Sequence, residues 1–370
     1  METDIQEQAC WLLLTFESGL NKRIINEIIE VWCVQLGRTL REFFVATPEE
    51  WQTVCNLNEK MVEKLKRAQT KLTEQVSVVE QLERASISML TMLDDDYPKL
   101  LKATLSAHER PPVLCYAGDR HILDLLTIAI IGSRKAGETS LAFTREVARY
   151  LTEQGANVIS GNARGVDRAA YEGATSTEGC TTVVLPHGIR KLSKVQMQEI
   201  RPKIEAGNVL LLSQFHPDAC WLVSRAMERN KVVTGLAQVV IVAEAGTKGG
   251  TWEGANGALR QHRPVYVCQT EPDQLLPGNS ALIERGGRPL YWTIETLKDD
   301  LSPLLEESEM IYKTQDCRLR LSQQLLLLLK EHPVGARFIA SRVRSPIDEV
   351  QGRDKSGPYA DKEQGIYDYA

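Results

Sequence analysis

The segment IAIIGSRKAGETS, residues 128–140, ends an apolar run with residue types that hold phosphate. Gly132 permits a tight backbone turn, Ser133 offers a hydroxyl group and Arg134 offers a guanidinium group. We expect a helix to open near residue 138 and to aim its N-terminal amides at the same point. The segment predicts an anion cradle, with a purely structural glycine turn as the alternative.

A second segment, VISGNARGVDRAAYEGA at residues 158–174, repeats this pattern of a strand, a glycine loop and a helix. Ser160 and Gly161 end the strand, and Arg164 stands directly before Gly165. Glycines let a ligand approach the backbone, and an arginine between them is placed to meet a phosphate. Asp167 has two interpretations, a hydrogen bond to a sugar hydroxyl or an ordinary anion in the first turn of a helix.

Two further strand ends carry the same residue types. Arg229 and Asn230 precede the apolar run AQVVIVAEA, and Gly249 and Gly250 enter a helix with Thr251 near its start. Paired glycines at a helix N-terminus form a nest of amide donors for an anion. Each segment alone could be an ordinary loop, but four of them together predict a shared anion-binding site.

The elements that must position these residues are apolar strands alternating with helical stretches. The strand candidates are TIAII, NVIS, TTVVL, NVLLLS, AQVVIVAEA and RPVYVC. Continuous apolar runs predict strands buried on both faces, and the alternation predicts a doubly wound, mostly parallel α/β sheet. Ligands of such sheets bind outside the carboxyl ends of the strands, where the four segments would meet.

The flanking regions have a different composition. Apolar residues at helical spacing predict an N-terminal helical domain, in which Thr47, Pro48 and Glu50 form the start of one helix. Near the C-terminus, three short helices resemble a truncated winged-helix unit. We expect a helical domain over 1–84, a connector with edge strands over 85–125, a Rossmann-like core over 126–295, a helical unit over 300–350 and a polar tail over 351–370.

Composition bounds the class of protein. The chain has 370 residues and a formal net charge of −5, so any site for a polyanion must be local. The cysteines and histidines lack metal-ligand spacing, and no apolar run is long enough to span a bilayer. We expect a cytoplasmic protein with no metal, no cofactor and no membrane contact. The P-loop pattern GxxxxGK[ST] and the hydrolase pattern GxSxG are both missing.

Six segments, taken in order, resemble the DNA-processing protein A family (DprA, also called Smf). They are IAIIGSRKAG, VISGNARGVDRAAYEGA, GCTTVVLPHGI, ERNKVVTGLAQVVIVAEA, RPVYVCQT and PGNSALIERGG. By this resemblance Arg134 is the arginine of GSR, Arg164 is the basic residue of SGxA[RK]GxD, and Arg229 with Asn230 is an RN pair. Gly278 and Asn279 match a late GxN turn on the same face.

The resemblance implies an extended Rossmann-like domain behind an N-terminal helical domain of the SAM or helix-hairpin-helix type. It further implies a non-enzymatic homodimer that binds and protects single-stranded DNA and loads a RecA-type recombinase during natural transformation. Asn162 and Tyr171 stand where the family usually has leucine and histidine. These departures suit a diverged member of the family that acts in another pathway, for instance in defence or in a mobile element.

Two other functions remain open from the sequence. The segment TKGGTWEGA partly resembles the PGGxGTxxE signature of the Lonely Guy phosphoribohydrolases, which would make the protein a nucleotide sensor or nucleotide N-glycosidase. Glu253 is one residue too early for that signature, a rotation of about 100° on a helix. An adaptor that signals through its helical ends is the third interpretation.

Overall fold

The computed structural model describes residues 4–269, 276–291 and 301–314. The chain divides into two compact units, Met1–Tyr312 and Lys313–Ala370, and the fold below is that of the first. The predicted polar tail over 351–370 lies outside the described residues. So does the predicted helical unit over 300–350, apart from a helix over residues 301–314.

Six α-helices form the N-terminal part of the fold. The Thr47 hydroxyl accepts a hydrogen bond from the Glu50 amide and the Glu50 carboxylate accepts one from the Thr47 amide, which confirms the predicted capping box with Pro48 in the first turn. Helices α1 and α2 each continue into a π-helical turn. The bounds are α1 Ile5–Leu12, α2 Lys22–Ile28, α3 Leu40–Val45, α4 Pro48–Val54, α5 Glu59–Gln69 and α6 Leu72–Arg84.

One sheet of nine strands forms the centre of the described structure. Its order is β1-β2-β6-β5-β4-β3-β7-β8-β9. The pairs β1–β2 and β2–β6 are antiparallel and the other pairs are parallel, which confirms the predicted mostly parallel α/β fold. The bounds are β1 Ser88–Thr91, β2 Val113–Ala117, β3 Thr127–Ile131, β4 Asn157–Ser160, β5 Thr181–Val184, β6 Val209–Ser213, β7 Val239–Val242, β8 Val265–Gln269 and β9 Arg288–Tyr291.

Seven more helices connect the strands. From β3 the chain winds through β4 and β5 to β6, then crosses to the other side of β3 and continues through β7 to β9. The direction of winding therefore switches between β3 and β7, and a crevice opens at their carboxyl ends. The bounds are α7 Lys99–Thr104, α8 Glu138–Glu153, α9 Val166–Ala174, α10 Lys194–Glu205, α11 Val223–Gly235, α12 Gly250–Arg260 and α13 Pro277–Glu284.

Apolar side chains cover the sheet on both faces. Ile128 and Ile130 of β3 pack with α8 and α9, whereas Ala129 and Ile131 pack on the opposite face with α11 and α12. The N-terminal helices share a third cluster with β2, β5 and β6. In the described ranges, no helix combines the length and apolar content that crossing a bilayer requires.

Candidate functional site

Two clefts open at the carboxyl ends of the strands, on either side of the Arg134 side chain. The glycine cleft, about 480 Å³, lies between the loops after β3, β4 and β7 and the side of α11. The tryptophan cleft, about 490 Å³, lies between the loops after β3, β4 and β5 and Trp221. Arg134 and Gly161 line both clefts, so the two form a continuous feature at the switch in winding.

Most of the sequence-predicted residues meet in these clefts. Arg164 lines the tryptophan cleft beside Arg134 and Gly161. The glycine cleft brings together members of all four predicted strand-end segments: Gly132, Ser133, Arg134, Gly161, Asp167, Arg229, Asn230, Gly249, Gly250 and Thr251.

Ser160 and Gly165 line neither cleft but shape the loop between β4 and α9. The Ser160 hydroxyl donates to the Asp167 carbonyl at 3.3 Å. Gly165 has φ +80°, and a Cβ there would lie 2.3 Å from the Ser133 carbonyl oxygen. The loops after β3 and β4 touch at this point, since the Val166 amide donates to the same oxygen at 3.2 Å. Only glycine combines that backbone angle with that approach.

Gly278 and Asn279 are buried in the first turn of α13 and also line neither cleft. The Asn279 side chain accepts a hydrogen bond from the Ala245 amide at 2.8 Å. It donates to the carbonyls of Ala243 at 3.0 Å and Cys268 at 2.7 Å. The amide group therefore ties the ends of β7 and β8 together, and its hydrogen-bonding capacity is spent on the backbone.

Arg229 is a buried arginine, 3% exposed, in the floor of the glycine cleft. Its Nη1 donates to the Val184 carbonyl at 2.7 Å and its Nε donates to Asn230 Oδ1 at 3.1 Å. Asn230 in turn donates to the Gly250 carbonyl at 3.2 Å. The RN pair therefore links α11, β5 and the start of α12.

Asp167 is the acidic partner of Arg229, with 3.7 Å between Oδ2 and Nη2. Its carboxylate also accepts hydrogen bonds from the amides of Gly161 and Ala163, which closes the loop after β4. Burial raises the pKa of Asp167 against the opposing effect of Arg229, and burial lowers the pKa of the Arg229 guanidinium. This contact supports the interpretation of Asp167 as an anion in the first turn.

Four cations stand at the surface of the clefts in contrast to Arg229. Arg134, Lys135, Arg164 and Lys248 are exposed, and none of them forms an ion pair with a described residue. Elsewhere exposed cations commonly pair, as in the contacts of Arg149 with Glu146 and Glu153. The loops of the clefts therefore present positive charge that no ion pair with a described residue neutralises.

Other chemistry finds less support in the geometry. Glu253, which we compared with the glutamate of the phosphoribohydrolase signature, is exposed on α12 and lines neither cleft. Within the described ranges, no three His, Cys, Asp or Glu side chains gather in a way that could hold a metal ion.

Comparison with known proteins gives the family. Residues 88–302 match the family model described as DNA recombination-mediator protein A. The chain belongs to this family. Protein Smf of Synechocystis sp. is 26% identical over 309 residues, which cover 82% of this chain and 75% of that protein. DNA processing protein DprA of Streptococcus pneumoniae is 28% identical over 202 residues, 54% of this chain and 69% of that protein.

Solved structures of family members have the same fold. The X-ray structure of DprA from Streptococcus pneumoniae matches with a TM-score of 0.65 at 22% identity, over 81% of this chain and 98% of that chain. A structure of DprA from Helicobacter pylori, whose description concerns its single-stranded DNA binding mode, matches with a TM-score of 0.51 at 27% identity. It covers 60% of this chain and 96% of that chain.

The two departures from the usual family residues differ in position. Asn162 lines the tryptophan cleft with φ +50°, and its Oδ1 is buried with no hydrogen-bond partner among the described residues. Tyr171 lies in the core beneath the N-terminal helices, 1% exposed, with Lys203 at 4.8 Å from its ring. Only Asn162 therefore changes the surface of a cleft.

Several cleft residues escaped the sequence reasoning. Lys135 and Lys248 directly adjoin predicted residues, so the charge of the neighbouring positions could have identified them. Glu244, which lines neither cleft, was also missed: it accepts from the Gly137 amide at 2.9 Å through its carboxylate and from the Ser133 amide at 2.7 Å through its carbonyl. Trp221, in the segment DACWLV before α11, gave one signal, a large aromatic residue in the connection between β6 and α11.

Proposed function

We propose that the protein binds single-stranded DNA at the two clefts and acts in DNA recombination. The observation that carries this proposal is the set of four exposed cations without ion-pair partners, Arg134, Lys135, Arg164 and Lys248, around glycine-lined strand ends. Relatives bearing the name DNA processing protein DprA support it, as does the single-stranded DNA binding described for the Helicobacter pylori protein.

The physical chemistry favours a polyanion with a thin backbone. Phosphates bind to exposed guanidinium and ammonium groups, and the amides at the start of α12 add donors without adding bulk. The overall charge of −5 disfavours broad contact with duplex DNA, so binding depends on the local charge of the clefts. A single strand can enter clefts of this size with its bases unpaired.

The predicted binding residues divide into two groups within this proposal. Arg134 and Arg164 are exposed and contact phosphate. Arg229 and Asp167 are buried and hold the loops in place, and Asn279 does the same for β7 and β8. Substitution of the second group is expected to act through stability and not through direct contact.

Arg134→Ala and Arg164→Ala test the proposal directly. Each variant is expected to bind a fluorescent oligothymidylate about tenfold more weakly in an anisotropy titration, because one charge-assisted phosphate contact is lost. The double-logarithmic dependence on salt should become less steep by about 0.7 for each contact removed.

Arg260→Ala is the matched control. Arg260 is exposed without an ion pair to a described residue, but it lies at the C-terminal end of α12, away from both clefts. Its substitution should leave affinity unchanged. Unaltered affinity in both cleft variants would show that the clefts are not the DNA site, and preference for a nucleoside monophosphate would favour nucleotide sensing.

Homodimer formation and the loading of a RecA-type recombinase belong to the same proposal. They rest on membership of the DNA recombination-mediator protein A family. Static light scattering at micromolar concentration should give twice the chain mass, and the protein should shorten the lag of recombinase assembly on coated single strands. A monomeric mass would contradict the proposed homodimer, and an unchanged lag would contradict the proposed loading of a recombinase.

A further inference from the structure

We propose that Trp221 is a nucleobase-stacking surface at the rim of the tryptophan cleft. This inference rests on the proposed binding of single-stranded DNA and assigns a separate task to one side chain. Trp221 is 47% exposed although tryptophan is among the residue types that most favour burial. It lines the tryptophan cleft together with Asn162 and Arg164.

The backbone around Trp221 is held in a defined conformation. The Ala219 carbonyl accepts from the Gly188 amide at 2.8 Å, and the Pro217 carbonyl accepts from the Arg190 amide at 3.1 Å. The Cys220 carbonyl accepts from the Arg225 side chain. Trp221 therefore projects from an anchored loop, and a ligand that stacks on it loses little conformational entropy of the protein.

The charge around the ring selects the kind of occupant. The Arg134 guanidinium lies 5.8 Å from the ring centroid, and Arg164 and Lys135 line the same cleft. An apolar protein segment placed on Trp221 would desolvate these cations without neutralising them, which is costly. A nucleotide can stack on the ring and neutralise the cations at the same time, since its base has an aromatic face and its phosphate is negatively charged.

The apolar surface continues along the start of α11. Leu222, Val223 and Met227 are exposed beside Trp221, and Val223 and Met227 line the glycine cleft. The rim of both clefts is thus apolar on the α11 side and cationic on the strand-end side. A single strand lying across Arg134 would place its phosphates toward the cations and one base against Trp221.

Three substitutions separate stacking from general apolar contact. Trp221→Ala is expected to weaken binding of an oligothymidylate about fivefold to 100-fold, the range typical for loss of one base–aromatic stack. Trp221→Phe should retain most of the affinity, and Trp221→Leu should lose most of it despite its apolar side chain. The salt dependence should remain as steep as in the unaltered protein, because no phosphate contact is removed.

An abasic oligonucleotide of the same length gives the decisive comparison. It keeps every phosphate, so the unaltered protein and Trp221→Ala should bind it equally well. Tryptophan emission should be quenched by oligothymidylate in the unaltered protein and not in Trp221→Phe. Tyr291→Ala is the matched control, since Tyr291 is a 56% exposed aromatic residue on β9 that lines neither cleft.

Two results would overturn the stacking proposal. One is unchanged affinity of Trp221→Ala for oligothymidylate, and the other is an equal loss for the abasic and the normal strand. Neither result contradicts the proposed function if the unaltered protein still binds single strands in a salt-dependent way. Conversely, absence of such binding in the unaltered protein would remove the proposed function itself.

Discussion

At the scale of single residues, Gly161 illustrates how the clefts depend on a buried cation. A Cβ at this position would lie 1.4 Å from Arg229 Nη1, the atom that donates to the Val184 carbonyl. Gly161→Ala must therefore displace the guanidinium and leave buried polar groups unpaired. We expect a loss of about 1–3 kcal/mol in the free energy of unfolding, measured by urea denaturation.

Gly257→Ala provides the comparison for that substitution. Gly257 lies inside α12 with its nearest potential Cβ contact at 3.9 Å. Alanine is the better helix former, so this variant should be as stable as the unaltered protein or slightly more stable. Equal stability of both variants would show that the packing of Arg229 on Gly161 contributes little.

The role of Arg229 also shows where sequence reasoning ends at this scale. The pattern placed Arg229 in the predicted anion-binding site, and the structure shows that its side chain is buried against β5. That contact joins residues 45 positions apart. The spacing of nearby residues cannot predict this contact, because the partner is a backbone carbonyl and every residue type has one.

At the scale of elements, the starts of helices were the most predictable features. The capping box at Thr47 follows from two side chains within four residues, and the helix that begins at Glu138 starts directly after Gly137, where a helix was expected near residue 138. The apolar strands were predictable for the same local reason. The antiparallel placement of β2 beside β6 was not, since it depends on pairing between distant segments.

His216, in the loop after β6, contacts α6, and we expect the stability of this contact to depend on pH. Its Nδ1 accepts from the Asp218 amide at 3.1 Å, so Nε2 carries the proton and faces Gln75 Oε1 of α6 at 3.1 Å. Phe16 packs edge-on against the ring at 5.6 Å. This environment suits the neutral imidazole, and burial lowers the pKa of His216 below the ordinary histidine value of 6.5.

A lowered pKa in the folded protein means that the unfolded chain binds the proton more tightly. The stabilisation from neutral His216 is therefore complete above pH 6.5 and is lost as the pH falls through the folded-state pKa. We expect the free energy of unfolding to fall below pH 6.5 by less than about 1.4 kcal/mol per pH unit, since solvent screens the half-buried ring.

Urea denaturation of His216→Gln at several pH values measures this contribution. The variant should show a weaker decline below pH 6.5 than the unaltered protein, whereas His108→Gln, at an exposed position, should follow the unaltered curve. Identical pH dependence in all three proteins would exclude His216 as the titrating group. Glu17 and Asp218 act on the ring in the opposite direction, which limits the size of the effect.

At the scale of the whole molecule, the sequence predicted the doubly wound sheet and the convergence of its strand ends. Alternating apolar runs and helices suffice for that prediction, because such a pattern predicts parallel strands, whose carboxyl ends all lie at one edge of the sheet. The division into two clefts depends on the Arg134 side chain and on the loop bearing Trp221. This division results from packing between loops, and no periodic pattern in the sequence predicts such packing.

The charge distribution of the whole molecule gives the last prediction. Because the chain has a net charge of −5, we expect it to attract DNA mainly through the cations of the two clefts, so the number of phosphate contacts should be small. Four contacts, from Arg134, Lys135, Arg164 and Lys248, correspond to a double-logarithmic salt slope of about −3 for a single strand. Anisotropy titrations from about 50 to 300 mM salt measure it. A slope near zero would exclude phosphate contacts, and one near −10 would require an extended basic surface outside these clefts.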